Sequence, residues 1–142
     1  MSQPMVPAAP GSIPFRQRLP ALLAVALARL IVQLSPLRIR RALTLLRRGA
    51  EPAAAAQALA ARQAVVTVSA RCAGEGCLQR SVATAVLCRM RGAWPDWCTG
   101  VRTEPFRAHA WVEVGGEPVG EPFPAGYYSR IMVVPSVTRQ RS

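Results

Sequence analysis

The chain of 142 residues contains no lysine and no asparagine, and its only histidine is His109. Without lysine there is no Schiff-base nucleophile and no phosphate-binding P-loop. Without asparagine no triad can use an amide of that type, so the third member of any triad is an acid or a glutamine. One histidine cannot build a histidine-rich metal site. Acids are also scarce, seven against eighteen arginines, which gives a net charge of +11. The four cysteines, Cys72, Cys77, Cys88 and Cys98, contain no C-x-x-C pair. Zinc sites usually arrive as closely spaced ligand pairs, so no metal and no cofactor is expected. Four cysteines in so apolar a chain do not read as a disulfide-stapled mini-protein, and reduced thiols in a cytoplasmic protein are the expectation.

What is present is enough apolar side chain for a real core: 51% of residues are hydrophobic. Residues 1–14 hold Pro4, Pro7, Pro10 and Pro14 and read as a flexible tail, and 136–142 as a second. Residues 15–70 read as an arginine-rich helical region. Its first helix has Pro20 suited to the first turn and ends near Ser35-Pro36. The apolar run Leu19–Leu34 follows Arg16 and Arg18, and Ala26-Leu27-Ala28 fits a signal-peptide cleavage pattern. Against that, Arg29 is followed by Leu30-Ile31-Val32, and the run is too short to span a bilayer. A soluble amphipathic or buried helix is preferred.

A second helix over about 37–48 places Ile39, Ala42, Leu43 and Leu46 on one face and Arg40, Arg41, Arg47 and Arg48 elsewhere. Glu51-Pro52 is expected to open an alanine-rich third helix through about Ala64. Residues 1–50 carry eight arginines and no acid, a basic face suited to an acidic peptide or surface, although charge alone favours a solvated arginine face. No aromatics interleave with these arginines, so nucleic acid is not expected as a partner. Membrane association is not expected either.

Further on, Arg71–Gly76 reads as a loop and Cys77–Met90 as a helix with Leu78, Val82, Ala85 and Val86 on one face. Trp97–Val101 and Ala108–Val114 read as strands, Glu117–Glu121 as a return strand after Gly115-Gly116, and Tyr127–Val134 as a last strand. Helices followed by a small antiparallel sheet make the fold class α+β, with a core over 71–135.

Cys77 stands at a helix start just after two glycines, where unpaired amides and the positive end of the helix dipole favour a thiolate. Its backbone N–H is the expected oxyanion donor. Cys88, about 16 Å along the helix, lacks that position; Cys72 in the loop and Cys98 in a strand read as structural. His109 on a strand downstream is the available base, and a helix-start cysteine facing a strand histidine is the layout of papain-like and transglutaminase-like sites.

Three stretches carry a resemblance. They are Arg71-Cys72-Ala73-Gly74-Glu75-Gly76-Cys77-Leu78-Gln79-Arg80-Ser81, Trp97-Cys98-Thr99-Gly100-Val101-Arg102, and Phe106-Arg107-Ala108-His109-Ala110-Trp111-Val112-Glu113. With Gly120-Glu121-Pro122 and Gly126-Tyr127-Tyr128 they resemble the stand-alone, actinobacterial form of the lasso-peptide biosynthesis protein B leader peptidases, in the transglutaminase-like superfamily. The resemblance implies a cysteine peptidase that removes the leader of a lasso precursor peptide and releases the core for a separate ATP-dependent cyclase. It implies Cys77 as nucleophile and His109 as base. The family's usual third member is an aspartate twelve residues after the histidine, and here that position is Glu121. Larger family members carry a strand-bearing leader-recognition module. Residues 1–70 lack its pattern, which implies a separate leader-binding protein as partner. A non-catalytic basic adapter that binds an acidic peptide or partner protein, and an acyltransferase using the same side chains, are the alternatives.

Geometry is expected to decide the acid. Glu113 shares a strand face with His109 but lies roughly 13 Å along it, and Glu117 is farther still. Glu121 can reach across the hairpin only if a one-residue bulge corrects its parity, so a bulged three-residue turn is expected. Asp96 is the runner-up.

Overall fold

The computed structural model describes residues 14–137, so most of both expected tails lies outside the described residues. Its elements in chain order are α1 (Phe15–Ile31), α2 (Pro36–Leu46), β1 (Glu51–Pro52), α3 (Ala55–Val68), α4 (Ala70–Ala73), α5 (Cys77–Met90), β2 (Ala93–Trp94), β3 (Asp96–Arg102), β4 (Arg107–Val114), β5 (Glu117–Pro118) and β6 (Ser129–Val134). The α+β class holds. The main sheet is antiparallel in the order β5-β4-β3-β6, and β1 pairs with β2 in a separate parallel ladder of two residues each.

Helix α5 is the axis of the molecule. The sequence suggested one apolar face, but every residue from Gln79 to Cys88 is buried. Helices α1 and α3 pack on it from one side and the sheet from the other. Ala21, Ala24 and Ala28 of α1 and Ala58, Ala61 and Ala64 of α3 form the inner stripes. Small residues at these contacts let the backbones approach closely. Two tryptophans tie the sheet down: Trp97 Nε1 donates to Ser81 Oγ at 3.1 Å, and Trp94 Nε1 donates to the Val134 carbonyl at 3.1 Å.

Several expected boundaries move. Pro20 is inside α1 rather than in its first turn, because the helix already begins at Phe15. Near a helix end this removes only the bond that would have run to the Arg16 carbonyl. Pro36 occupies the first turn of α2, and Gly49, at φ +78°, stands just beyond its end. Arg89 donates from Nε to the Leu46 carbonyl and from Nη2 to the Arg48 carbonyl, capping α2 from α5. Glu51-Pro52 does not open a helix; Glu51 and Ala53 instead donate to the carbonyls of Gly92 and Trp94. Helix α3 starts at Ala55, where Gln57 Oε1 accepts the Ala54 amide. The expected Arg71–Gly76 loop contains the end of α4, with Cys72 buried in it. The last strand starts at Ser129 rather than Tyr127.

The hairpin is the sharpest correction. Val114 pairs with Glu117 and Glu113 with Pro118, so the turn is the two-residue Gly115-Gly116, with φ of +61° and +82°, and carries no bulge. Two consecutive positive φ values suit the mirror-image turn whose twist matches that of the strands.

Among the described residues no helix is long and apolar enough to cross a membrane.

Candidate active site

Helix α5 begins at Cys77 because Gly74 and Gly76 let the chain turn sharply out of α4. A Cβ at Gly76 would stand 2.8 Å from the Arg71 carbonyl oxygen, so this turn has no room for a side chain. Cys77 is half-buried at the helix N-terminus. Interaction of its thiol with the His109 side chain is the largest cause of a pKa lowered from the ordinary 9.0. Burial opposes the shift, and the Ala110 backbone assists it. The expected oxyanion donor is engaged in this state, because the Cys77 N–H donates to the Glu75 carbonyl at 2.9 Å.

His109 lies on β4 opposite Gly100 of β3. Its Nε2 is 3.4 Å from Glu121 Oε2, an ion-pair separation longer than a well-formed N–H···O bond. With Nε2 facing the acid, Nδ1 is the nitrogen left for the thiol. Burial alone would lower the imidazole pKa. The Cys77 and Glu121 side chains, by contact and by charge, outweigh it and raise the value to about 9. A lowered thiol beside a raised imidazole shifts the pair toward thiolate and imidazolium.

Glu121 reaches this position by a route the sequence did not suggest. After β5, Val119 still donates to the Val112 carbonyl at 2.9 Å, and Gly120, at φ +67°, then swings the chain. A Cβ on Gly120 would sit 2.8 Å from Arg62 Cδ. The left-handed glycine does what the expected bulge was to do. The Glu121 carboxylate is nearly inaccessible and faces two guanidiniums, Arg62 at 3.8 Å and Arg80 at 4.0 Å. Arg80 is anchored in turn, donating from Nη1 to the carbonyls of Cys72 and Gly74. The sequence reading missed both arginines. The signal for Arg80 was a lone charge inside the apolar stretch 77–88, three residues past Cys77.

The reading also missed an aromatic surround. The imidazole stacks on Tyr128 at 5.2 Å and Trp111 at 6.0 Å, and meets Phe123 edge-on at 5.4 Å. Gly100 makes room for Trp111, because a Cβ there would lie 2.8 Å from the indole.

The other candidates stand elsewhere. Asp96 pairs across the sheet with Glu113, four residues from the level of His109, and its Oδ1 accepts from the Ser136 amide at 2.7 Å and hydroxyl at 3.1 Å. Glu113 is buried, accepts the Trp111 indole N–H at 3.0 Å and pairs with Arg130 at 3.3 Å. Glu117 lies in β5. Burial pushes the Cys88 and Cys98 thiols up to about 12 and raises that of Cys72.

Comparison with known proteins adds the lineage. Searches of curated proteins and of solved structures return no match. The family model of the Transglutaminase-like superfamily matches residues 21–133, which include the Cys77 helix, the His109 strand and Glu121. That match covers most of the chain, and the chain belongs to the Transglutaminase-like superfamily.

Proposed function

We propose that this chain is a cysteine peptidase that removes the leader from a lasso-peptide precursor. The observation that carries the peptidase part is the line from the Cys77 thiol through His109 to Glu121, with the thiol pKa lowered and the imidazole pKa raised. The superfamily includes cysteine peptidases and acyltransferases. The lasso-precursor part is supported by the motif resemblance around Cys77, Cys98, His109 and Glu121.

In this reading the Cys77 sulfur attacks the scissile carbonyl carbon and forms a tetrahedral intermediate. As that collapses, the C–N bond breaks and the His109 imidazolium gives its proton to the leaving amine. A water then attacks the thioester, with neutral His109 as base, and frees the carboxylate and the thiol. Glu121 stabilises the imidazolium and holds the ring with Nδ1 toward sulfur. Arg62 and Arg80 hold the Glu121 carboxylate in place. The Cys77 N–H serves the oxyanion once the Gly76 turn releases it from Glu75.

Helices rather than a strand-bearing module fill the described part of residues 15–70, apart from two-residue β1. As the motif resemblance implies, a separate protein recognises the leader in this reading, and the cyclase acts on the released core in a reducing cytoplasm.

The test is to incubate the purified chain with a lasso precursor, with and without a leader-binding protein, and follow the products by mass spectrometry. The expected result is one cut at the leader–core junction, faster with the partner present because recruitment raises effective concentration. The Cys77→Ala protein is expected to give none. An uncut precursor under all conditions, or cutting by Cys77→Ala, overturns the reading. Transfer of the acyl group to an added amine in preference to water would point to the acyltransferase alternative.

A further inference from the structure

A groove of about 550 Å³ runs between α1 and the start of α5. Leu22, Val25 and Leu30 supply its apolar wall, Arg29 and Arg71 its charge and Gln79 an amide, and no carboxylate lines it. Neither arginine belongs to any of the ion pairs found among the described residues. The leucines are not needed for the core. Helix α1 is inverted relative to an ordinary surface helix, with alanines inward and Leu22 and Leu30 48% and 65% exposed. Surface of this kind, apolar and flanked by unpaired charge, marks a recognition site.

The groove borders the turn that precedes the thiol. The Arg71 carbonyl accepts the Gly76 amide at 3.2 Å, directly before Cys77, and Gln79 is in the first turn of α5, two residues beyond it. From Leu22 to Leu30 the wall spans about 12 Å of helix, the length of roughly four extended residues.

We propose that this groove binds an acidic, apolar-rich stretch of the peptide substrate, next to the bond presented to Cys77. The inference rests on the peptidase reading and adds the substrate's chemistry to it. A second copy of this chain is disfavoured as occupant, because residues 1–50 carry eight arginines and no acid, and two such faces would repel. Carboxylates on the ligand would pair with Arg29 and Arg71 while its apolar side chains cover Leu22 and Leu30.

The experiment uses a fluorescein-labelled ten-residue peptide of alternating leucine and glutamate, and a control with arginine in place of glutamate. Anisotropy is measured on the full chain. The acidic peptide is expected to bind at least tenfold tighter than the control and to weaken with salt. Arg29→Glu and Arg71→Glu together are expected to cost at least another tenfold, with Arg29→Gln and Arg71→Gln in between. Bound peptide is expected to slow iodoacetamide alkylation of Cys77 several-fold. Equal binding of the two peptides, silent arginine variants, or binding that leaves Cys77 unprotected overturns the proposal. So does arginine-dependent partition onto phosphatidylglycerol vesicles without peptide binding. Failure of the peptidase reading has a different signature: peptide binding and protection persist while precursor is never cut. Unchanged KM for precursor cleavage in the arginine variants sinks the groove alone.

Discussion

Strand β4 serves two clusters built from the same kinds of residue, with opposite outcomes for the thiol. At one end Cys77, His109 and Glu121 meet, backed by Arg62 and Arg80. At the other, Cys98 lies near Glu113, which Trp111 and Arg130 hold in place. Each has a cysteine, a buried carboxylate and arginine. Yet the Cys77 thiol is lowered, whereas burial and then the Glu113 charge push Cys98 up to about 12. The difference is the imidazole. Between thiol and carboxylate, His109 favours the thiolate and turns the acid's charge from a repulsion into support for the imidazolium. Where no imidazole intervenes, a carboxylate beside a thiol simply disfavours the thiolate.

The strongest break of this comparison is removal of each sulfur. Cys77→Ala is expected to cut precursor processing by at least about a thousandfold while the fold persists, since alanine is tolerated at a helix start. Cys98→Ala is expected to leave the rate within about twofold and to lower stability by about 1 kcal/mol. Cleavage rates and thermal melts of the two variants check this.

Next is removal of the imidazole. In His109→Gln the largest cause of the lowered Cys77 pKa disappears, and burial then acts unopposed by it. Processing is expected to vanish, and Cys77 alkylation at pH 7 to slow by about tenfold for each unit the thiol rises.

Glu121→Gln keeps the side-chain shape and removes the charge. A loss of about ten- to a hundredfold in rate is expected, smaller than that of Cys77→Ala because the acid forms no bond to substrate. With Arg62 and Arg80 left facing a neutral amide, stability should fall by about 1–3 kcal/mol. Asp96→Asn, remote from His109, is the control. If it is damaging and Glu121→Gln is silent, the acid belongs at Asp96.

The pH profile sharpens the contrast more gently. Activity needs Cys77 deprotonated and His109 protonated. The acid limb should therefore fall below the ordinary thiol value of 9.0 and the basic limb near 9, where the imidazolium is lost. Glu121→Gln is expected to move the basic limb down, because the carboxylate is one of the groups that raise the imidazole. The smallest effect expected is that of Glu113→Gln: a rate within about twofold of the parent, with Arg130, half exposed, released to water.

Local chemistry made part of this legible in the sequence. Two glycines before Cys77 announced a turn into a helix, and alternation around His109 announced a strand. Contacts from distant parts of the chain settled the rest. The all-round burial of α5 depends on helices and sheet closing on it from both sides, and no window of its own sequence contains that. The route of Glu121 turned on Gly120, whose left-handed φ swings the chain and whose missing side chain leaves room for Arg62 from α3. The outward leucines of α1 inverted the usual pattern because alanines were needed for close approach to α5.

The central claim is that His109 lowers the pKa of the Cys77 thiol. Its most direct test is the pH dependence of iodoacetamide alkylation at Cys77, followed by peptide mass spectrometry beside Cys98 in the same native sample. The account predicts a Cys77 midpoint below 9.0 that climbs in His109→Gln, with Cys98 inert across the range. A Cys77 midpoint at or above 9.0 that His109→Gln leaves in place would contradict it.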